Sequence, residues 1–520
     1  MPCAALRGGA KRARAYARKL ECAVVNSVRL VHARRAGAPP PTQLLPLSRE
    51  DVELFYTAAP LSWTWSFAEP IDADGLFLAL ESALVQYPLL AGRLVSLAAD
   101  EFGRRRVAVD CGNQGALLTV ITCSGVAPQR PCRATSGGVI AIAPTMSQGP
   151  RSLKALKNDA QAPLLDVTVI YYADGCCTLG VKSSHGLTDG ASLAGFVAYW
   201  ARCYSSPEAP PLHAPQLDRS ALDELMRGEQ EENDEAAPGC CMVLNTPRAS
   251  LPMTSPSGSL VPAPSFVKLA KIVLRAATDP SLGFTDPTAV RGALFFFSRE
   301  QLGRLKARGD GAQSANAPRG CSSFDAVTAC LWHAVACARK RRGMLDAAAR
   351  AAPARLFFPL NIRGRVALSD SYVGNAIVVA CCTMDDEALR DGSFADIVAA
   401  VRSGKAAAQA PASIRAELRF LDAASKLRGS GTLSFAINPF ANDLLISDFR
   451  FPAAPLLDSS FGSAKPTWFE PAVGDPIRVP YIGFLSLAPQ DSQACLMVGV
   501  HLPVDELLEV QRKVQQLCAE

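Results

Sequence analysis

Apolar and polar positions alternate most clearly in one stretch of the chain's first half. The run LLDVTVIYY (164–172) is rich in β-branched and aromatic residues, and after the residues ADG the run CCTLGVKSS (176–184) follows. This pattern predicts a β-hairpin. Beyond it, apolar residues recur on one helical face at Leu193, Phe196, Val197, Trp200 and Tyr204. We therefore expect the segment HGLTDG (185–190) to form a short loop between a strand and a helix.

Helical and strand-like patterns continue on both sides of this hairpin. Apolar residues at helical spacing predict a helix from Leu76 that Pro88 ends. A strand-like run at 293–300 opens the second half, and Ser323 is a candidate N-cap for a helix within 322–340. Further strands are predicted at LFFPLNIR, AIVVACC, YIGFLSLAP and ACLMVGVHL, and a closing helix at VDELLEVQRKVQQLC. Strands mixed with helices in both halves predict two α/β layered domains.

Changes of composition divide the chain. We assign residues 1–26 to a basic N-terminal extension, 27–204 to a first domain, 205–265 to a long linker and 266–520 to a second domain. Prolines, serines and the acidic run GEQEENDE interrupt the periodicity of the linker, which we expect to be partly disordered. A chain of 520 residues is too long for one ordinary core.

Composition and charge limit the classes of ligand, metal site and cellular compartment that we expect for this chain. Hydrophobic residues make up 49% of the chain and the net charge is +5, which fits an anionic small ligand better than a nucleic acid. The seventeen cysteines include no CxxC pair and no zinc-like spacing, so we expect no metal and reduced thiols, as in the cytoplasm. No apolar run reaches the roughly 20 residues that span a bilayer. The basic start of the chain is also compatible with targeting to a plastid or mitochondrion.

His185 is the strongest candidate for chemistry. It lies at a predicted strand end, where α/β proteins commonly build their sites. A neutral imidazole, with an ordinary pKa of about 6.5, can take a proton from a hydroxyl or an amine. Asp189 is too near in sequence to be assumed a second proton carrier, and it is as well suited to bracing the loop through an arginine. We expect Gly190 to let the chain turn tightly into the helix.

Other catalytic machinery has weaker signals. The remaining histidines, His32, His213, His333 and His501, have simpler interpretations as surface or packed residues. The chain contains no G-x-S-x-G nucleophile elbow, no phosphate-binding loop and no dinucleotide-binding glycine motif. None of the cysteines carries a local nucleophile signature.

Several stretches together resemble the BAHD acyltransferases, which are CoA-dependent enzymes of specialised metabolism. HGLTDG resembles the family's H-x-x-x-D active-site motif. Further segments resemble family signatures in the same order: LPLSRED (45–51), YPLLAGRL (87–94), SSFDAVTACLWHAVACAR (322–339), NIRGR (361–365), YVGNA (372–376) and VPYIGFLSLAP (479–489). The resemblance extends from about residue 27 to the end of the chain.

This resemblance implies two similar chloramphenicol-acetyltransferase-like domains, each a mixed β-sheet with flanking helices, and an active-site channel at their interface. It implies an acyl-CoA co-substrate without a bound cofactor, and transfer of the acyl group to a hydroxyl or amine of a small-molecule acceptor. His185 would be the general base of a ternary complex. Arg363 is the partner that the resemblance suggests for Asp189. We expect the chain to act as a monomer.

The chain departs from the family in its second hallmark, D-F-G-W-G-K-P. The nearest stretch is DSSFGSAKP, and its matching residues, which the resemblance places near the CoA path, are Asp458, Phe461, Gly462 and Lys465. SDFRFP (447–452) stands where the family has S-W-x-R-x-P, a segment that helps to form the acceptor pocket. Glu387 stands where a second histidine would lie, so we expect a single active centre.

Two alternatives stay open from the sequence. A condensation-type domain that takes substrates from carrier proteins shares the fold and the H-x-x-x-D-G string, but it usually has two adjacent histidines, whereas Ser184 precedes His185 here. A catalytically degenerate acyl-CoA or small-molecule binding protein is favoured by the altered second hallmark and opposed by the intact first one. The pattern leaves the acyl donor and the acceptor open.

Overall fold

The structure of the 520-residue chain is a computed structural model. It describes residues 23–34, 43–57, 60–125, 161–227, 260–262, 290–311, 320–339, 353–428, 433–435, 443–450, 460–472, 481–488 and 494–519. The strands are β1 (Ala23–Val31), β2 (Leu44–Pro46), β3 (Leu61–Phe67), β4 (Arg93–Leu97), β5 (Arg106–Asp110), β6 (Ala116–Cys123), β7 (Leu165–Tyr172), β8 (Cys177–Ser183), β9 (Leu260–Pro262), β10 (Val290–Ser298), β11 (Ala354–Asn361), β12 (Ile377–Met384), β13 (Leu433–Phe435), β14 (Asp443–Asp448), β15 (Pro466–Ala472), β16 (Ile482–Leu487) and β17 (Ala494–Pro503). The helices are Arg49–Thr57, Ala73–Gln86, Gly190–Ser205, Ser220–Arg227, Arg299–Asp310, Ser323–Ala338, Asp386–Asp391, Phe394–Gln409, Pro411–Arg428 and Val504–Ala519, with a 3₁₀ turn at Pro88–Ala91.

The first large sheet has six strands in the order β1-β6-β7-β8-β3-β15. β7 and β8 form the predicted antiparallel hairpin, and β3 pairs with the other edge of β8. Leu80 of the helix Ala73–Gln86 and Trp200 of the helix Gly190–Ser205 share one buried core with Trp63 of β3. The loop that follows β8 therefore leaves a central strand of a covered sheet.

The second large sheet has six strands in the order β10-β17-β16-β14-β11-β12. Trp332, Val398 and Val510, from three different helices, join Phe358 of β11 in its buried core. Each half of the chain thus builds a mixed sheet with flanking helices, which confirms the predicted α/β class. A three-stranded sheet, β2-β5-β4, and the pair β13-β9 complete the pairing of the described strands.

One strand crosses between the two halves. β15 comes from the C-terminal part of the chain but pairs antiparallel with β3 of the first sheet. Phe469 of β15 packs against Trp63 and Trp65, which anchors this strand in the first core. The domain boundaries stay a prediction, and residues 466–472 are an exception to the division at residue 266 because their sheet belongs to the first half.

The predicted linker contains packed structure. Residues Ser220–Arg227 form a helix whose Leu222 and Met226 join a buried cluster with the helix Pro411–Arg428. Prolines and acidic residues around this helix concealed its short apolar face from the periodicity argument. Residues 228–259 of the predicted linker lie outside the described residues, as do residues 1–22 of the predicted N-terminal extension.

The N-cap predicted for the helix in 322–340 is wrong by one residue. The helix begins at Ser323 and its N-cap is Ser322, whose hydroxyl accepts a hydrogen bond from the Asp325 N–H while the Asp325 carboxylate accepts one from the Ser322 N–H. This reciprocal capping box selects Ser322 because its partner must lie three residues later. None of the helices in the described ranges is long and apolar enough to cross a bilayer.

Candidate active site

The HGLTDG loop connects β8 to the helix Gly190–Ser205. Asp189 is the N-cap of that helix, and its Oδ1 accepts a hydrogen bond of 2.9 Å from the Ser192 N–H. Since the first N–H groups of a helix have no partner within it, this bond ties the carboxylate to the helix start. Gly190 is the first helical residue and is not among the described glycines with positive φ, so the tight entry does not use left-handed backbone.

Asp189 forms a buried ion pair with Arg363. Nη1 of Arg363 lies 2.6 Å from Oδ2 and Nη2 lies 3.2 Å from Oδ1. The exposed fractions of the two side chains are 3% for Arg363 and 2% for Asp189. The Ala376 N–H adds a 3.0 Å bond to Oδ2. The carboxylate is thus occupied by donors other than His185, and the contact with Arg363 that the resemblance implied is present.

The charge of Asp189 is set by these donors. Burial by itself would raise the pKa of the carboxyl, but the positive charge of Arg363 and the hydrogen bonds outweigh it and lower the pKa below its ordinary value. Asp189 is therefore ionised at neutral pH. Its geometry and charge suit a residue that holds the loop, and they do not suit one that exchanges protons.

The connection between β11 and β12, residues 362–376, packs against the HGLTDG loop. Besides its contacts with Asp189, Arg363 donates to the carbonyl oxygens of Tyr372 and Gly374, at 3.0 Å each. The Gly374 carbonyl also accepts from the Asp189 N–H at 3.2 Å and from the Ser192 hydroxyl at 2.9 Å. The first half supplies the loop, and the second half supplies most of the groups that hold it.

His185 is held by Asn375 from this same connection. Nδ1 of His185 lies 3.0 Å from Oδ1 of Asn375. Because an amide oxygen can only accept, Nδ1 carries the ring proton and Nε2 carries the free lone pair. Nε2 has no hydrogen-bond partner among the described residues, and His185 is partly exposed while residues 186–189 are buried. The ring can therefore accept a proton at Nε2.

The electrostatics favour a neutral imidazole. Although part of His185 is exposed, the surrounding protein removes most of the water from the ring, and this desolvation lowers the pKa of His185 below its ordinary value. The opposing effects of hydrogen bonding and of the Asp189 carboxylate are smaller. A base must be unprotonated before it can act, so this shift keeps His185 available at neutral pH and somewhat below it.

Sequence reasoning missed three residues of this site as functional candidates. Asn375 and Asp51 lie in the segments YVGNA and LPLSRED, so the motif comparison could have suggested both. Arg219 lies in the predicted linker, and we find no sequence signal that would have identified it. The structure places the Asp51 carboxylate in an ion pair with Arg219 and 2.8 Å from Nδ2 of Asn375.

A buried acidic side chain lies beside this ion pair. Oε1 of Glu50 accepts a 3.3 Å bond from the Ile377 N–H, and its Oε2 is buried without a hydrogen-bond partner among the described residues. Burial, and then the neighbouring Asp51 carboxylate, raise the pKa of Glu50 well above its ordinary value. Both effects favour the neutral form of this side chain.

Phe461 and Gly462 of the altered second hallmark lie near the far end of the helix Gly190–Ser205. Phe461 is 4% exposed, and its ring packs edge-on against Trp200 and Tyr204. Gly462 has a positive φ of 67°, which a glycine adopts without strain. Lys465 is exposed, and Asp458 lies outside the described residues. The packing of Phe461 favours a structural role, while a CoA contact at Lys465 stays a prediction.

The lower-ranked candidates show ordinary packing contacts. Nδ1 of the buried His333 lies 2.6 Å from the Leu389 carbonyl oxygen, and Nδ1 of His32 lies 2.8 Å from that of Asn113. His213 is exposed and His501 is buried in β17. Glu387 is exposed on the helix Asp386–Asp391. The expectation of a single active centre stays a prediction.

Comparison with known proteins extends the resemblance over most of the chain. The protein-family model with the description "Transferase family" matches residues 36–517. Hydroxycinnamoyltransferase 2 of Oryza sativa subsp. japonica is 28% identical over 462 residues, which are 85% of this chain and 87% of that protein. Rosmarinate synthase of Plectranthus scutellarioides is 26% identical over 314 residues, and the match spans 59% of this chain and 58% of that relative's own length.

The fold agrees with a solved structure. Vinorine synthase superposes with a TM-score of 0.59 at 16% identity, covering 95% of this chain and 98% of that one. At this identity the similarity concerns the fold, and it confirms the predicted two-sheet architecture. The family match over residues 36–517 establishes the membership: the chain belongs to the Transferase family, the BAHD-type acyltransferases.

Proposed function

We propose that this acyltransferase moves an acyl group from an acyl-CoA thioester to a hydroxyl of a small-molecule acceptor, with His185 as general base. The observation that carries the proposal is the state of the ring: Nδ1 is occupied by Asn375, Nε2 is free, and the residue is partly exposed at the end of a central strand. Such a ring can accept a proton from an incoming hydroxyl without first losing one of its own.

The reaction follows from this geometry. Nε2 removes the hydroxyl proton as the acceptor oxygen attacks the thioester carbonyl carbon, which forms the new C–O bond. The tetrahedral oxyanion then re-forms the carbonyl and expels CoA thiolate by breaking the C–S bond. The proton held at Nε2 passes to the departing sulfur, which leaves as free CoA thiol and returns His185 to its starting state. An amine acceptor would react in the same way.

Asp189 supports this chemistry without taking part in proton transfer. Its carboxylate is buried, ionised and bound to Arg363 and to the start of the helix Gly190–Ser205. The Asp189–Arg363 pair joins the loop of the first half to the β11–β12 connection of the second. We propose that the substrates enter between these halves, and that Gly462 and Lys465 lie toward the CoA side.

The donor is proposed from the names of the relatives. The relative from Oryza sativa is a hydroxycinnamoyltransferase, so an aromatic hydroxycinnamoyl-CoA is the first donor to examine. The proposal includes a monomer that acts in the cytoplasm. Light scattering during size-exclusion chromatography and fractionation of the native cells test these two points separately.

A donor and acceptor screen tests the function. The purified chain is mixed with coumaroyl-, benzoyl-, malonyl- or acetyl-CoA and with pools of alcohols and amines, and free thiol release and product mass are measured. We expect thiol release that depends on the acceptor and an ester product with at least one donor, with reactions that lack acceptor as the control.

Two results would contradict the proposal in different ways. Transfer from acylated carrier protein but from no acyl-CoA would identify a condensation-type enzyme. Binding of acyl-CoA with no product from any acceptor pool would identify a binding protein on the same fold.

A further inference from the structure

The orientation of the Asn375 side chain is determined by its surroundings. Nδ2 lies 2.6 Å from the His185 carbonyl oxygen and 2.8 Å from Oδ1 of Asp51. Both of these atoms can only accept hydrogen bonds when Asp51 is ionised, so the donating end of the amide must face them. The amide oxygen then faces Nδ1 of His185. An amide turned by 180° would place its oxygen against two acceptors.

Both carboxylate oxygens of Asp51 accept hydrogen bonds. Oδ1 accepts from both the backbone N–H and the side-chain amide of Asn375, each at 2.8 Å, and Oδ2 accepts from the Ser48 N–H at 3.0 Å and from Arg219. The Asp51 side chain is 0% exposed and that of Arg219 is 2% exposed. A buried carboxylate that accepts at both oxygens, and pairs with a guanidinium, presents an accepting, charge-paired oxygen to the amide of Asn375.

Arg219 links Asp51 back to the HGLTDG loop. While Nη1 pairs with Asp51, Nη2 donates a 2.8 Å hydrogen bond to the carbonyl oxygen of Leu187, two residues beyond His185 in the same loop. The predicted linker therefore contributes a side chain that grips the HGLTDG loop directly. These contacts join Asp51, Arg219, Asn375 and the HGLTDG loop. The four segments lie far apart in the chain, so the contacts exist only in the folded protein.

We propose that the buried Asp51–Arg219 ion pair selects the tautomer and orientation of His185 by locking the amide of Asn375. The proposal rests on the function proposed above, since it concerns the same base. Asp51 and Arg219 are positioning residues that touch neither substrate nor the reacting nitrogen. Asp189, by contrast, holds the other end of the loop through Arg363.

This arrangement also has an electrostatic consequence. When Nε2 takes a proton, the ring becomes an imidazolium whose Nδ1–H donates more strongly to Asn375. The Asp51 charge on the far side of the amide polarises it, so that its oxygen is a better acceptor at that moment. A neutral residue at position 51 would lose this support even if it preserved the packing.

The test substitutes Asp51→Asn, which preserves shape and removes the charge. Without the carboxylate the Asn375 amide can turn, and we expect kcat to fall about 10²-fold, with KM for acyl-CoA within about twofold, as for a misplaced catalytic group. The matched control is Asp443→Asn, which breaks the ion pair of another fully buried carboxylate with Arg355, in the second sheet. We expect this control to lower the melting temperature and to leave kcat unchanged.

A second measurement reads the tautomer without turnover. Ring-nitrogen NMR of the ¹⁵N-histidine-labelled chain, which has five histidines, identifies His185 by the signal that disappears in His185→Ala. We expect the wild type to show the proton on Nδ1 and Asp51→Asn to show both tautomers. An inactive wild type with this tautomer would defeat the proposed function and leave the present inference standing.

The inference is overturned if Asp51→Asn retains the Nδ1–H tautomer, or if its kcat falls no further than that of Asp443→Asn. If Asp51→Asn does not fold, Arg219→Lys takes its place, because lysine keeps the charge but cannot make both directed contacts. We expect about a tenfold lower kcat and a mixed tautomer for that variant. Wild-type kcat and a single tautomer there would also overturn the inference.

Discussion

The segments that follow β8 and β12 both lead from a strand into a helix, yet their surroundings are opposite. After β8, Asp189 caps its helix from a buried position and is paired with Arg363. After β12, Asp385 caps the helix Asp386–Asp391 from an exposed position, and Asp391 is exposed as well. An aspartate caps the helix in both segments, and the difference lies in what buries each segment.

The cover comes from the connections between strands. The β11–β12 connection is long and packs against the segment after β8, where it supplies Arg363 and Asn375. The β7–β8 connection consists of the few residues around Gly175 and has no comparable length. A strand–loop–helix unit becomes a catalytic candidate when a second connection buries its carboxylate and holds its histidine.

Replacing His185 should have a larger effect on activity than any change in the segment after β12. We expect His185→Ala to lower kcat/KM by about 10³-fold, because the acceptor loses its general base. The matched variant in the other segment, Glu387→Ala, alters an exposed side chain and should leave the rate unchanged. Thiol-release kinetics measure the rates, and melting temperatures equal to that of the wild type show that both variants are folded. Residual activity near the wild-type level in His185→Ala would assign the base elsewhere.

Removing one carboxylate charge in each segment compares the buried Asp189 with the exposed Asp391, which is the last residue of the helix Asp386–Asp391. Asp189→Asn leaves the guanidinium of Arg363 buried without its counter-charge, so we expect a loss of about 3–5 kcal/mol in the free energy of unfolding together with reduced activity. Asp391→Asn changes an exposed group and should cost less than about 0.5 kcal/mol. Denaturant unfolding measures both. Lost activity in Asp189→Asn with unchanged stability would rule out the bracing role.

The pH profile sharpens the account of His185. Its pKa is lowered by burial, so the neutral base persists as the pH falls through 6.5, and the acid limb of kcat/KM should lie below that value. Below its pKa, the rate should drop about tenfold per pH unit. A histidine stabilised as a cation would have a raised pKa, and its acid limb of kcat/KM would lie above pH 6.5. Parallel measurements of melting temperature separate titration of the base from acid unfolding.

The smallest expected effect concerns Glu50, which accepts a hydrogen bond from the first residue of β12. Its pKa is raised by burial and by Asp51, so the stability it contributes is complete at low pH and is lost as rising pH ionises the buried group. Glu50→Gln keeps the acceptor oxygen and cannot ionise. We expect its melting temperature to exceed that of the wild type by about 2 °C at alkaline pH and to converge with it in acid. A constant difference across pH would contradict the neutral form.

The sequence predicted the local features of this site well. The hairpin β7–β8, the helix that begins at Gly190 and the loop that carries His185 all follow from short-range periodicity and turn residues. The same reasoning missed the helix Ser220–Arg227 and chose Ser323 over Ser322 as an N-cap. The two failures have different causes. Tertiary contacts with the helix Pro411–Arg428 stabilise the short helix Ser220–Arg227, whereas a local reciprocal bond with Asp325 decides between the adjacent serines.

What the amino-acid order by itself determined is where a base could lie: at the end of a strand, before a helix, with an aspartate four residues on that is suited to bracing the loop. What only the tertiary structure decided is which ring nitrogen is free. Asn375 contacts His185 across 190 positions of sequence, and Arg219 reaches Asp51 across 168. No local pattern specifies such partners, because hydrogen bonds between distant segments depend on how the two sheets and their connections pack together.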